Sequence, residues 1–190
     1  VVPADGDVDA LRKTAREWPG REAPGLLNGL AGVALTLSEV DAQRDDAQRD
    51  AVAAAGKALE SAVGRRRLDL AAGQAGVILA ALEVAKTAGD SELMDRAVAA
   101  YRRLDACLTP DGSAWTALCR RRGLFWGLTG VALTDLVAHA VTGAEEPLVR
   151  ARARLRADLD ACVTTATGEV MIDDREKNRV LPYTEWGSAG

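Results

Sequence analysis

At 190 residues, 48% hydrophobic and 27% charged, the chain has material for one ordinary domain with a core, which excludes a wholly disordered protein. Aromatic residues make up only 4%, so Ala, Leu and Val must build that core, and packed helices suit them better than a sandwich or barrel. The net charge of −4 speaks against a nucleic-acid partner, and no apolar run approaches the ~20 residues that cross a bilayer. Val1 to Asp9 lacks the basic and apolar regions of a signal peptide. The three cysteines, Cys107, Cys119 and Cys162, form no CxxC pair and do not read as a disulfide framework, so a reducing, cytoplasmic setting is expected.

In chain order, the first landmark is Gly29-Leu-Ala-Gly32, leading into the apolar run Val33–Leu37. Asp41-Ala-Gln-Arg-Asp45 is then repeated at once as Asp46-Ala-Gln-Arg-Asp50, which reads as a polar link between two helices. Its aspartates resemble the magnesium sites of prenyl-transferring enzymes only faintly, and the duplication of a polar pentapeptide explains them. Val52, Ala55, Leu59 and Val63 mark an amphipathic helix, and Arg65-Arg-Arg67 a solvated loop that could attract an acidic peptide. Gly73-Gln-Ala-Gly76 opens a helix that is apolar on nearly every side from Ala75 to Ala85, as expected of one covered on both flanks. Leu93, Met94, Ala97, Val98, Tyr101 and Leu104 form a stripe, opposite Asp95, Arg96, Arg102 and Arg103.

The third landmark is Gly127-Leu-Thr-Gly130, followed by a second all-round apolar stretch, Leu128–Val141, with His139 near its end. An amphipathic helix follows, its apolar side marked by Leu148, Leu155, Leu159 and Cys162. Val170 and Ile172, then Val180 and Leu181, flank the turn-prone stretch Asp173–Arg179 and predict a short β-hairpin. Gly187-Ser-Ala-Gly190 is the last motif. The first glycines are 44, 54 and 60 residues apart, a spacing that suits a repeat of two helices with loop insertions. A buried helix alternates with a surface helix three times, so an inner layer of helices sheathed by an outer one is expected rather than a four-helix bundle.

These G-x-x-G starts resemble those of the lanthionine synthetase C-like (LanC-like) family. The nearest match is Gly123-Leu-Phe-Trp-Gly-Leu-Thr-Gly-Val-Ala-Leu133, with Gly168-Glu-Val-Met-Ile-Asp-Asp174, Arg179-Val-Leu-Pro-Tyr183 and Gly187-Ser-Ala-Gly190 after it. That order is similar to the cyclase domain of class III lanthipeptide synthetases, which carry lyase and kinase domains upstream. The resemblance covers the chain from about Gly25 and implies an all-α, partial α/α toroid. It treats 1–190 as a single domain, the N-terminal part of a cyclase domain with about three of its seven hairpins. It implies a precursor peptide as partner and a Michael addition of a cysteine thiol to dehydroalanine or dehydrobutyrine, giving lanthionine or labionin. Zinc-dependent members take ligands from Trp-Cys and Cys-His-Gly motifs, which do not occur here, so no metal and no cofactor are expected in this chain. ATP and magnesium would enter only with an upstream kinase domain.

Under this resemblance, inner helices beginning at one mouth would aim free N–H groups and positive dipole ends there, favouring thiolate and enolate. Gly127 and Gly130 would let a peptide approach closely, and Trp126, Tyr183, Trp186 and Gly187 would line the rim as substrate-binding residues. The alternative for the tryptophans is that they fill crowded helix junctions. Asp173, Asp174 and Glu185 are the acid/base candidates, against a reading as solvated turn carboxylates. His139, at the far end of its helix, reads as structural. Cys119, beside Arg120, Arg121 and Arg122, is either a thiol of lowered pKa or an ordinary one, and Cys107 and Cys162 read as packing residues on helices. Two alternatives to a cyclase remain: a non-catalytic peptide-binding scaffold of the same synthetase, and another α/α-toroid enzyme such as a glycosidase.

Overall fold

The computed structural model describes residues 5–18, 24–40, 44–110, 112–174 and 179–181. Among them lie nine helices: α1 (Asp5–Glu17), α2 (Leu30–Val40), α3 (Asp45–Ala62), α4 (Gln74–Ala88), α5 (Ser91–Cys107), α6 (Ser113–Arg121), the single turn α7 (Gly123–Trp126), α8 (Leu128–Thr142) and α9 (Glu145–Leu159). Three short strands follow: β1 (Cys162–Thr164), β2 (Val170–Asp174) and β3 (Arg179–Leu181). Helices α2, α4 and α8 pack side by side as an inner row, and each is backed by the helix that follows it, α3, α5 or α9. Helix α1 lies across α2 and α3.

Burial follows the residue pattern. In α4 every residue from Ala75 to Leu82 is buried, because neighbours cover it on both flanks. In α5 only Leu93, Ala97, Tyr101 and Leu104 are fully buried, on the side facing α4. Helices α4 and α8 end alike. Gly89 and Gly143 adopt the left-handed conformation, at φ 66° and 70°, and donate back to Ala85 and Lys86 and to His139. A residue with a Cβ is strained there, and glycine turns the chain sharply into the outer helix. Asp90 then caps α5, accepting from the Leu93 N–H at 2.8 Å.

At the other end of the inner row, three turns have the same build. A Cβ added to Gly32, Gly76 or Gly130 would overlap the carbonyl oxygen of Leu26, Leu70 or Leu124, in each case the residue six positions earlier. A Cβ on Gly76 would also come within 2.8 Å of the Leu26 Cβ, and one on Gly130 within 2.7 Å of the Leu70 Cβ. The second glycine of each motif thus receives its own turn, and in the second and third motifs the leucine of the preceding turn as well. The turns are also bonded in series: the Leu27 N–H donates to the Ala71 carbonyl and the Ala71 N–H to that of Phe125, both at 3.0 Å. The first three glycine motifs therefore gather at one end. The fourth, Gly187–Gly190, lies outside the described residues.

The structure corrects several sequence readings. Asp45–Asp50 is not a link but the first turns of α3, and its carboxylates are engaged by arginines of α1. Arg12 reaches Asp46 at 2.7 Å and Asp50 at 2.8 Å, and Arg16 reaches Asp50 at 2.8 Å. The hairpin of β2 and β3 forms as expected, but it is two thirds of an antiparallel sheet ordered β1-β2-β3. Cys162 opens β1 opposite Ile172 instead of ending a helix, since α9 stops at Leu159.

A buried polar cluster joins the second and third helix pairs. Asp135 of α8 is 0% exposed and Arg154 of α9 only 2%. The two are ion-paired, and Tyr101 of α5 donates to the Asp135 Oδ1 at 2.9 Å. Arg154 also reaches Asp105 of α5 at 2.8 Å, and Arg150 does so at 3.0 Å. Asp135 Oδ2 and Arg154 Nε have no hydrogen-bond partner among the described residues. Burial pushes the Asp135 carboxyl up to about 6 against the pull of Arg154, and pushes the Tyr101 hydroxyl up as well.

Two stability experiments follow from this packing. Gly76→Ala should cost about 1–3 kcal/mol in urea unfolding, while Gly6→Ala, with open space around its Cβ position, should be neutral or slightly stabilising. For Asp135, the native state holds its proton to a higher pH than the unfolded chain does. The stability of the wild type relative to Asp135→Asn should therefore fall as pH rises from about 4 to about 6 and level off above that.

Candidate functional site

The end of the molecule where the three turns meet also carries the last turns of α3 and α5, because each outer helix runs antiparallel to the inner helix before it. Loop residues 63–73 connect α3 to α4 there, and α6 and α7 lead into α8. Trp126, half-buried, stands immediately before Gly127, and the Arg67 guanidinium lies over its ring, 4.7 Å from the centroid. Arg67 is held from the other side by Asp69, Nε to Oδ2 at 2.8 Å. Asp69 is itself buried, and its Oδ1 accepts from the Ala72 N–H at 2.9 Å. A cation is thus clamped between a carboxylate and an indole face, where cation–π attraction adds to the ion pair.

Several amides at this end are already engaged. The Ala31 N–H donates to the Pro24 carbonyl, and those of Gln74 and Ala75 donate to Arg67 and Leu68. In α8 the Thr129 N–H and hydroxyl both donate to Asp158 Oδ2, at 2.9 and 2.6 Å. The expectation that helix N–H groups point unsatisfied into the mouth is therefore corrected for these amides: the chain's own turns and Asp158 take them up. Gly130 in turn meets the Leu124 carbonyl and the Leu70 Cβ, so its missing side chain makes room for the protein itself rather than for a peptide. Positive charge at this end comes instead from side chains, Arg65, Arg66, Arg67 and Arg122.

Arg122 departs from ordinary backbone, at φ 41°. Its side chain secures that conformation, Nε donating to the Cys119 carbonyl at 2.9 Å and Nη1 to that of Ala161 at 2.8 Å. The contact ties the entry of the third turn to the root of the sheet. Asp173 and Asp174 lie within β2, opposite Val180 and Arg179, and not in the turn assigned to them. Tyr183, Glu185, Trp186 and Gly187 lie outside the described residues. His139 sits at the opposite end of α8, where its Nδ1 is 2.7 Å from the Ala144 carbonyl, which bears out a structural reading.

The cysteines separate by environment. Burial and the Asp158 charge push the Cys119 thiol up and outweigh the opposing pull of Arg122, so it is not a thiol of lowered pKa. Cys162 is shifted the same way by the same groups. Cys107 is not a packing residue but is exposed, on the wall of a cavity of about 660 Å³ between the ends of α3 and α5, the start of α4, and α6. Iodoacetamide at pH 8, followed by peptide mass spectrometry, should alkylate Cys107 first and Cys119 and Cys162 at least several-fold more slowly.

Among the described residues no group of three or more His, Cys, Asp and Glu is placed to hold a metal ion, and no helix is long and apolar enough to cross a membrane. No family model matches the chain. It is similar to the "Probable SapB synthase" of Streptomyces coelicolor, at 34% identity over 189 residues. That match takes in 98% of this chain and 20% of the other protein, so the chain spans about a fifth of the length of the curated relative it matches.

Proposed function

We propose that this chain is part of a LanC-like cyclase domain in a lanthipeptide synthetase, acting on a precursor peptide beside lyase and kinase domains. The observation that carries this is the row of three like-built glycine turns at one end of a double layer of helices. Similarity along nearly the whole chain to a protein named as a synthase supports it. In this reading the double layer is an arc of an α/α toroid. The partly exposed Leu133 and Leu136 of α8, at 38% and 39%, are where a further inner helix would continue the row.

The reaction is an isomerisation of the peptide. A cysteine thiolate attacks the β-carbon of a dehydroalanine or dehydrobutyrine, forming the C–S bond. The alkene electron pair moves onto the amide carbonyl as an enolate, and the α-carbon then takes up the proton that the thiol lost. Both anionic species gain from nearby positive charge. With the turn amides engaged, that charge falls to the arginines of the Arg65–Arg67 segment, and Trp126 offers a flat wall for the peptide. Metal ligands are assigned to no residue of this chain.

A second reading, a scaffold that holds the peptide without accelerating ring closure, is favoured by one observation. The carboxylates beside the glycine turns, Asp69 and Asp158, are both committed to turns, and so are not placed as a proton donor.

The full-length protein, mixed with a peptide bearing one dehydroalanine and one cysteine, separates these readings. Loss of the free thiol at unchanged peptide mass, at least tenfold faster than without protein and slowed about tenfold by Trp126→Ala at similar melting temperature, is the expected result. Binding with ring closure at the background rate would leave only the scaffold, and absence of both would remove both readings.

A further inference from the structure

The cavity that Cys107 borders has a floor of Leu59, Ala62, Leu68, Ile78, Ala100 and Ala114. Its rim is cationic: Arg65 and Arg66 stand on the loop wall and Arg103 on the α5 wall. A shallower hollow of about 320 Å³ shares Arg66, Leu68, Ala114 and Ala117 with it and runs on to Arg67 and Asp69 at the glycine turns. Together they make one groove, leading from the outer helices to the site described above.

The arginines are not equivalent. Arg67 is bound to Asp69, and Arg65 donates through Nε to the Ser61 carbonyl at 2.8 Å. Arg66 and Arg103 carry neither an ion pair nor a hydrogen bond among the described residues, and no acid lines the larger cavity. Two uncommitted cations on separate walls above an apolar floor are complementary to spaced carboxylates flanking an apolar side chain. A volume of about 660 Å³ is the size of a several-residue binding site rather than of a lone inorganic anion. Among the described residues no aromatic one lines the groove to stack a nucleobase, and the chain is acidic overall, which disfavours a nucleic acid.

We infer that this groove binds an acidic peptide segment, its carboxylates on Arg66 and Arg103 and one large apolar side chain on the Leu59–Ile78 floor. The inference goes beyond ring closure and does not require it: a protein that only holds its peptide satisfies it equally.

Fluorescence anisotropy with the full-length protein tests this. The probe is a labelled 14-residue peptide with leucines at helical spacing among glutamates, compared with versions in which Glu becomes Lys or Leu becomes Ser. The Glu/Leu peptide should bind more weakly as salt rises, and both altered peptides at least tenfold more weakly than it does. Arg66→Glu with Arg103→Glu should weaken binding at least tenfold. Ala117→Trp, at an exposed wall position where bulk can be added without entering the core, should do the same with every charge intact. Arg66→Ala, on an exposed loop, gives a milder charge test that leaves packing untouched and should still weaken binding several-fold. Equal binding of the Ser and Leu peptides would make the groove a general anion site and overturn the inference. So would unchanged affinity in Arg66→Ala and Ala117→Trp, or no binding of the Glu/Leu peptide.

Discussion

A backbone carbonyl lying where a side chain would otherwise be is the contact on which this fold rests. At Gly32, Gly76 and Gly130 the space of a Cβ is filled by the carbonyl oxygen of the turn six residues earlier. Because that approach happens at the start of each inner helix, it determines where the helix begins and how closely adjacent turns can lie. The inter-turn hydrogen bonds from Leu27 and Ala71 depend on that closeness, and the alignment of α2, α4 and α8 depends on them in turn. Any larger residue would have to displace main chain, which moves less readily than a side chain.

The outer layer is held by different means. Helix α3 is latched to α1 by Arg12 and Arg16 on Asp46 and Asp50, and α5 joins α8 and α9 through Tyr101, Asp105, Asp135, Arg150 and Arg154. The second arrangement is the more demanding. A carboxylate and a guanidinium have both left water, each with one polar atom unpartnered, so their attraction is offset by desolvation. Such a pair specifies which helix meets which more than it strengthens the whole. Asp158 adds a short-range counterpart: from α9 it supplies the first turn of α8 with an acceptor where no N-cap side chain does.

Much of this was legible in the sequence. The all-round apolar character of Ala75–Ala85 and the stripe Leu93, Ala97, Tyr101, Leu104 reported their burial, because side-chain period and solvent contact are local properties. The β2–β3 pairing was legible for the same reason. What escaped were relations between distant residues. Asp45–Asp50 read as a linker because its polarity is evident and its partners, thirty or more residues away on α1, are not. Cys162 read as helical because the apolar spacing of α9 continues past its last turn, while β1 forms through pairing with Ile172. The occupied state of the turn amides was also hidden, since it depends on which carbonyls a fold brings back. One signal was present and overlooked: Leu26, Leu70 and Leu124 each stand three residues before the first glycine, so the repeated unit is L-x-x-G-x-x-G. The candidate site was legible at Trp126 and the glycines, but not at Arg67, whose stacking on Trp126 crosses two repeats.

The hydrogen bonds that string the turns together have a polarity. Leu27 gives to Ala71 and Ala71 gives to Phe125, so the middle member, Ala71, is donor on one flank and acceptor on the other. A chain of that kind has a head and a tail, like a parallel ladder, and another member can join it only in the same sense. Two such rows brought head to head would oppose donor to donor. Extension is therefore directional, and a series of this sort either stays open or comes round to meet its own beginning.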